Sequence, residues 1–277
     1  GDIGELKGDD YSLNIIDTIR VGNDIIHISE DFNENLVNSN SVECSILSSR
    51  RNGAKANHSA THLLHAALKN ILGDHVQQAG SLVSDERLRF DLTHYSKISK
   101  EQIQDIEILV NKKIQEGIRL NTSIQPFEEA KQSGAVAMFN EKYDDEVRVV
   151  DVPGFSKELC GGTHVSNTIE ICLFKIVSEG SLSKGVRRIE AITGKYALDY
   201  LLELNKIVSD IKDTLNCSDD DLLDRFQSVY NDSRLKTKKI DRLNSQNQSY
   251  RIKELIEKSD IFNGVRIIIS REDGLSN

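Results

Sequence analysis

Tryptophan is absent from this 277-residue chain, and proline occurs only as Pro126 and Pro153. Helices therefore meet few forced breaks. No apolar run reaches the roughly 18 residues that a membrane-spanning helix needs, so no membrane contact is expected. The opening Gly1-Asp2-Ile3-Gly4-Glu5 lacks the basic and apolar regions of a signal peptide, and it lacks methionine. It reads as an internal piece of a longer cytoplasmic protein. The four cysteines, Cys44, Cys160, Cys172 and Cys217, form no CxxC pair. That suits a reducing compartment better than a disulfide framework. Bulk positive charge is also missing: the formal net charge is −9. Binding of nucleic acid through overall charge is disfavoured, and only a local basic groove remains open.

What is present is an ordinary globular composition, 38% hydrophobic and 29% charged. Residues 1–47 read as short strands, with Tyr11 to Ile15 and Asp24 to Ile28 alternating around a Gly22-Asn23 turn. A small β-barrel-like module is expected there. Leu64, Ala67, Leu68 and Ile71 recur at helical spacing within 53–72, and Gly73 follows as a C-terminal cap. Residues 80–83 and 88–92 read as a strand pair. A second helix over 100–117 starts at Ser99 with Gln102 in capping-box position. Strands are expected at 121–125, 147–152, 169–177 and 186–193, with a short helix at 127–133. Helices and strands mixed without a βαβ rhythm predict an α+β fold. From 196 to 259 the pattern is helical, interrupted at 216–221, with Ser218 as the expected N-cap of the second helix. Two long helices and a short break predict an antiparallel hairpin. Residues 264–277 read as the first strand of a further domain.

Two short motifs carry chemistry. His58 and His62 lie four apart on the first helix, hence on one face and one turn apart. Cys160-Gly-Gly-Thr-His164 places a thiol and an imidazole on either side of a glycine pair that permits a tight turn. Together they offer a Cys-His₃ set suited to tetrahedral zinc. Either motif alone is commonly ordinary surface or core polarity. No glutamate follows His58, so this is not the HExxH pattern of metalloproteases. His65 falls near the same helix face, as a bystander or as support for the ligands. His27, His75 and His94 have no local partner in the sequence.

Several segments resemble, in order and spacing, the editing domain of the alanyl-tRNA synthetase family. They are Arg51 to Leu68, Gln78-Ala-Gly-Ser-Leu-Val83, Leu88-Arg-Phe-Asp91, Gly134 to Tyr143, Glu158-Leu-Cys-Gly-Gly-Thr-His164 and Gly185 to Gly194. The resemblance is close over 48–195 and looser on either side. It implies a zinc-containing editing domain at 48–195 after a β module at 1–47. It also implies a helical linker at 196–262 and the start of a C-terminal domain at 263–277. By the same resemblance His58, His62, Cys160 and His164 are the zinc ligands, and Gln78 lies in the editing pocket. The implied reaction is hydrolysis of serine or glycine wrongly esterified to tRNA(Ala), at the tRNA 3′ end. The full-length enzyme of the family joins alanine to tRNA with ATP, but no motif of that catalytic core occurs in this chain.

The chemistry bears on the remaining candidates. Ester hydrolysis needs an activated water and donors for the oxyanion. Zinc supplies either by polarising the carbonyl or by acidifying water, although four protein ligands also describe a structural site. Gln78 can donate and accept. Thr61, Gln78 and Cys160 are the expected contacts for a serine hydroxyl. Arg50, Arg51, Lys55, Arg187 and Arg188 are candidates for phosphates of the tRNA acceptor stem, with salt-bridged surface charge as the competing reading. Self-association through the C-terminal helices or a missing C-terminal domain is a further expectation. The alternatives are a free-standing trans-editing deacylase, or a zinc-stabilised module that binds tRNA or dimerises without hydrolysis. Threonyl-tRNA synthetase editing domains share the HxxxH and CxxxH plan, but the 185–194 stretch and the hairpin fit the alanine family better.

Overall fold

A computed structural model of the chain describes residues 1–8, 11–22, 24–31, 41–136 and 144–268. The chain divides into two compact units, Gly1–Glu203 and Leu204–Asn277. Asn23, residues 137–143 of the Gly134-to-Tyr143 motif, and 269–277 of the expected last strand lie outside the described residues.

The first unit opens with β1 (Gly4–Lys7), β2 (Ser12–Ile15), β3 (Asp17–Val21), β4 (Asp24–Ile28) and β5 (Glu43–Ile46). They form an antiparallel sheet of order β2-β1-β5 and a separate β3–β4 hairpin, so no barrel closes among the described residues. Strand β2 alternates as expected, burying Leu13 and Ile15 while Ser12 and Asn14 face solvent. Strand β4 does not, and Ile25, Ile26 and Ile28 are all exposed.

Helix α1 (Ser48–Leu72) organises the rest of this unit. Ala56, Ala60, Leu63, Leu64, Ala67 and Leu68 fall at helical spacing and are buried as one stripe. The helix ends where Gly73 adopts φ 114 and its N–H donates to the Lys69 carbonyl. L residues with side chains rarely adopt that conformation. The stripe shares one core with β6 (Gln78–Val83), β7 (Leu88–Thr93), α2 (Lys100–Gln115), β11 (Phe174–Ser183) and β12 (Val186–Thr193). The four strands form an antiparallel sheet of order β11-β12-β7-β6, contributing Phe90, Leu92, Phe174 and Ile189. Helix α2 adds Ile106, Val110 and Ile114, and its Ser99–Gln102 capping box forms as expected.

A smaller sheet of order β10-β9-β8 contains β8 (Asn121–Pro126), β9 (Glu146–Val152) and β10 (Ser156–Leu159). Helix α3 (Phe127–Gln132) packs on it through Ala130. Strand β10 is not apparent from hydrophobic alternation, because Ser-Lys-Glu-Leu is largely polar. The expected strand at 169–177 is shorter. Thr168–Ile171 is a 3₁₀ turn closed by an Asn167–Glu170 capping box, and pairing begins only at Phe174.

The chain ends in two long helices, α4 (Gly194–Leu215) and α5 (Leu222–Lys258). Helix α5 buries no residue. Ser218 is not its N-cap: that position is Asp221, whose carboxylate instead accepts the Ser218 hydroxyl at 2.6 Å. After α5, β13 (Ile261–Phe262) pairs with β14 (Val265–Arg266). No described helix is long and apolar enough to cross a membrane.

Candidate metal centre

Helix α1 brings His58 and His62 to one face, and the loop leaving β10 brings Cys160 and His164 opposite them. One donor atom from each lies within 4.8 Å of the others. The Cys160 sulfur is 3.4 Å from His58 Nε2 and 3.3 Å from His164 Nε2. Bonds of about 2.0–2.1 Å to nitrogen and about 2.3 Å to sulfur at tetrahedral angles place such donors roughly 3.3–3.6 Å apart. The residues therefore fit a zinc-sized ion, and a soft sulfur with three imidazoles suits that metal.

The outer ring nitrogens are held so that the inner ones face the cluster. His164 Nδ1 lies 3.1 Å from the Ser59 hydroxyl, which also accepts the Val165 N–H at 3.1 Å. His58 is hydrogen-bonded to the Thr163 backbone. Gly162 passes directly against the His58 ring, and a Cβ there would overlap the imidazole. The loop is clamped from β9: Arg148 Nη1 donates to the carbonyls of Cys160 and Gly162, each at 2.7 Å. The Arg148 carbonyl in turn accepts the Cys160 N–H at 2.9 Å. Neighbouring Asn57, fully buried, docks α1. Its amide donates to the carbonyls of Ser84 and Asp85, and its Oδ1 accepts the Thr193 hydroxyl.

Electrostatics keep the imidazoles neutral. Burial, then His62, push His58 down to about 4. Burial, then His62 and His58, push His164 down to about 2. His62 is lowered chiefly by burial. Neutral rings are the ligating form. Behind His62 lies the buried Glu158, its Oε2 3.4 Å from His62 Nδ1 and its Oε1 3.0 Å from His65 Nδ1. Burial opposes its ionisation, but His62, His65 and the Ser156 hydroxyl outweigh it and hold the carboxyl below its usual range.

The other expected site residues are placed as follows. Thr61 is buried, and its hydroxyl donates to the Asn57 carbonyl at 2.8 Å. Gln78 is half-buried at the start of β6, and its amide donates to the Ser81 hydroxyl at 3.1 Å. The β6–β7 register shifts between Gln78 and Gly80, a bulge of the kind that re-aims a side chain. Four of the five basic candidates are engaged within the chain. Arg50 meets Asp85 at 3.4 Å, Arg51 pairs with Asp2, and Arg187 pairs with Glu179. Arg188 grips Asp91 with two bonds of 2.7 and 2.9 Å. Lys55 lies half-buried on α1, near Glu170, whose carboxyl is held below its usual range first by the Ser166 hydroxyl and least by the Lys55 charge. His75 and His94 meet each other at 2.9 Å across nineteen positions, a pairing invisible in the sequence.

Ser59, Arg148 and Glu158 were not foreseen as parts of the site. Ser59 stands inside the first motif and Glu158 two residues before the second, but only the fold shows which way they face. Arg148 is twelve residues from Cys160 and becomes a neighbour through strand pairing.

Comparison with known proteins bears on this arrangement. Residues 147–190 match the family described as the threonyl and alanyl tRNA synthetase second additional domain. That segment holds Arg148, Glu158, Cys160 and His164. An alanine–tRNA ligase of Thermoanaerobacter sp. (strain X514) is 43% identical over 272 residues, covering 98% of this chain and 31% of that protein. One from Thermotoga maritima is 50% identical over 216 residues, covering 78% of this chain and 25% of that protein. One from Clostridioides difficile is 40% identical over 99% of this chain and 31% of its own length. The chain thus spans between a quarter and a third of the relatives it matches. With a match to the second additional domain over 147–190, which holds Cys160 and His164, and likeness to alanine–tRNA ligases along nearly its whole length, the chain is related to the alanyl-tRNA synthetases.

Proposed function

We propose that residues 48–195 form an editing site that hydrolyses the ester linking serine or glycine to the 3′ end of tRNA(Ala). The observation that carries this reading is the convergence of His58 and His62 with Cys160 and His164, the latter two inside the stretch that matches a synthetase second additional domain. A zinc ion held by these four side chains would polarise the ester carbonyl, acidify a water or anchor the substrate. The chain's own groups do the rest. Arg148 draws the Cys160 and Gly162 carbonyls to itself, which fixes the loop and leaves Gly161 open to close approach by a substrate. Gln78 orients the amino acid or the attacking water from the β6 bulge. Thr61 has committed its hydroxyl proton to Asn57, so it offers a serine side chain only acceptor lone pairs.

The need for such a site follows from selectivity. A pocket built for alanine cannot exclude smaller glycine, and it rejects serine poorly. Within a longer protein, the ATP-dependent joining of alanine to tRNA(Ala) belongs to regions outside this chain. Lys55 and the paired arginines Arg50, Arg51, Arg187 and Arg188 border the acceptor stem in this reading, with the arginines exchanging carboxylates for phosphates. Helix α5, which buries none of its residues, serves self-association. The protein acts in the cytoplasm.

A second reading has one observation in its favour: four protein ligands close a tetrahedral site, as structural zinc does. A zinc-stabilised module that binds tRNA without hydrolysing it is distinguished by Gln78→Ala. Under the editing reading this variant keeps its zinc and tRNA affinity and loses at least about tenfold in deacylation rate, within the range seen for positioned polar groups. An unchanged rate would remove Gln78 from the pocket. No hydrolysis by any zinc-loaded form favours the binding module.

A further inference from the structure

Glu158 is nearly fully buried, and an ionised carboxylate is costly to bury unless donors surround it. Its surroundings are specific. Oε1 lies 3.0 Å from His65 Nδ1 and accepts the Ser156 hydroxyl at 3.3 Å. Oε2 is left facing His62 Nδ1 at 3.4 Å. That nitrogen is inaccessible to solvent and completes no hydrogen bond, so the charge of Glu158 at ion-pair distance is what it faces. A neutral imidazole carries its proton on one nitrogen only, and a carboxylate beside Nδ1 selects the Nδ1–H form. His62 then presents an unprotonated Nε2, on the opposite edge of the ring.

The backbone explains why one residue can do this. Side chains alternate along β10, so Ser156 and Glu158 share a face. Two residues further on, Cys160 reaches the metal centre. His62 and His65 are one turn apart on α1. The same carboxylate therefore ties the helix that carries two donors to the strand that delivers the other two.

We infer that Glu158 is a positioning residue: it fixes the Nδ1–H tautomer of His62 and locks α1 to β10, so that the four donors converge on the ion. His65 and Ser156 hold the carboxylate in place. The inference rests on the metal reading above. Carboxylates behind ligating histidines orient the ring and raise its basicity, and their loss weakens metal binding about 10–100-fold.

The test uses the full chain, with Glu158→Gln removing the charge at equal size and Glu158→Leu removing the acceptor. Zinc affinity is measured by chelator competition, and the coordination by the absorption of the cobalt form. The His62 tautomer is read in the metal-free chain from two-bond proton–nitrogen correlations of the imidazole, assigned with His62→Ala. Both variants are expected to bind one zinc about 10–100-fold more weakly with the tetrahedral cobalt bands retained, and Glu158→Leu to lose the pure Nδ1–H signal. A purely structural carboxylate would lower thermal stability yet leave affinity and tautomer unchanged in the folded variants; that result overturns the inference. If Glu158→Leu does not fold, Glu158→Gln and Ser156→Ala decide by affinity. A wild-type chain that binds no zinc sinks the metal reading instead. In that event the His62 tautomer still reports whether Glu158 sets the ring, and a mixed tautomer in wild type overturns the inference by itself.

Discussion

A methyl group placed on Gly162 would overlap the His58 ring, because the loop after β10 passes directly against that imidazole. Gly162→Ala should therefore push the His58 and Cys160 donors apart. The expected result is zinc affinity weakened at least about tenfold, the lower end for disturbed support of a ligand, with the core intact. Chelator competition alongside circular dichroism checks it, and unchanged affinity would show that the loop yields. The imidazoles make a second prediction, for the metal-free chain. His58 at about 4 and His164 at about 2 both lie below the ordinary histidine value near 6.5. As pH falls below about 6.5 the unfolded chain takes up protons before the folded one does. Stability is thus full above that pH and declines as pH falls through 4 toward 2. Urea midpoints of the metal-free chain measured between pH 7 and 4 should drop in that direction, and a flat profile would contradict the burial of these rings. At this scale the four donors were legible, because HxxxH and CxxxH spacing is local. The residues around them were not. Glu158, Ser59 and Arg148 acquire their roles only from the pairing of α1, β9 and β10.

Among the elements, α1 bears the most weight, since its buried stripe anchors the main sheet while its other residues present His58 and His62. Leu64 is fully buried within that stripe. Leu64→Ala should cost about 2–5 kcal/mol, the range for leucine truncation in a packed core. Thermal or urea unfolding reads it, and a loss under about 1 kcal/mol would mean the stripe is loosely packed. The helices and the strands of the main sheet were readable because their apolar periodicity is strong and their caps are local. What failed to show has physical causes. The polar Ser156–Leu159 segment becomes a strand only by pairing with β9, and the 169–173 stretch turns because Asn167 and Glu170 cap it. Acidic residues at 219–221 hid the true start of α5, where Asp221 rather than Ser218 precedes the helix. Among the described residues the first strands pair as small sheets with no closure, since nothing in a strand's alternation specifies whether a sheet returns to its own edge.

For the molecule as a whole, a zinc ion held at the proposed site would couple folding to function. Zinc held about a thousandfold above its dissociation constant should add about 4 kcal/mol to the stability of the form that binds it, and a chelator should remove that increment. Melting with and without chelator checks this, and Cys160→Ala should be insensitive to both. The family was legible from several motifs in order, while the arginine pairings that compete with phosphate binding needed the folded arrangement. The most direct measurement of the central claim is the rate at which the zinc-loaded chain deacylates Ser-tRNA(Ala), beside Ala-tRNA(Ala) and Cys160→Ala. Release of serine, sparing of the alanine ester and an inactive variant are expected. Serine release no faster than the uncatalysed rate, from a folded chain carrying one zinc, would contradict that claim.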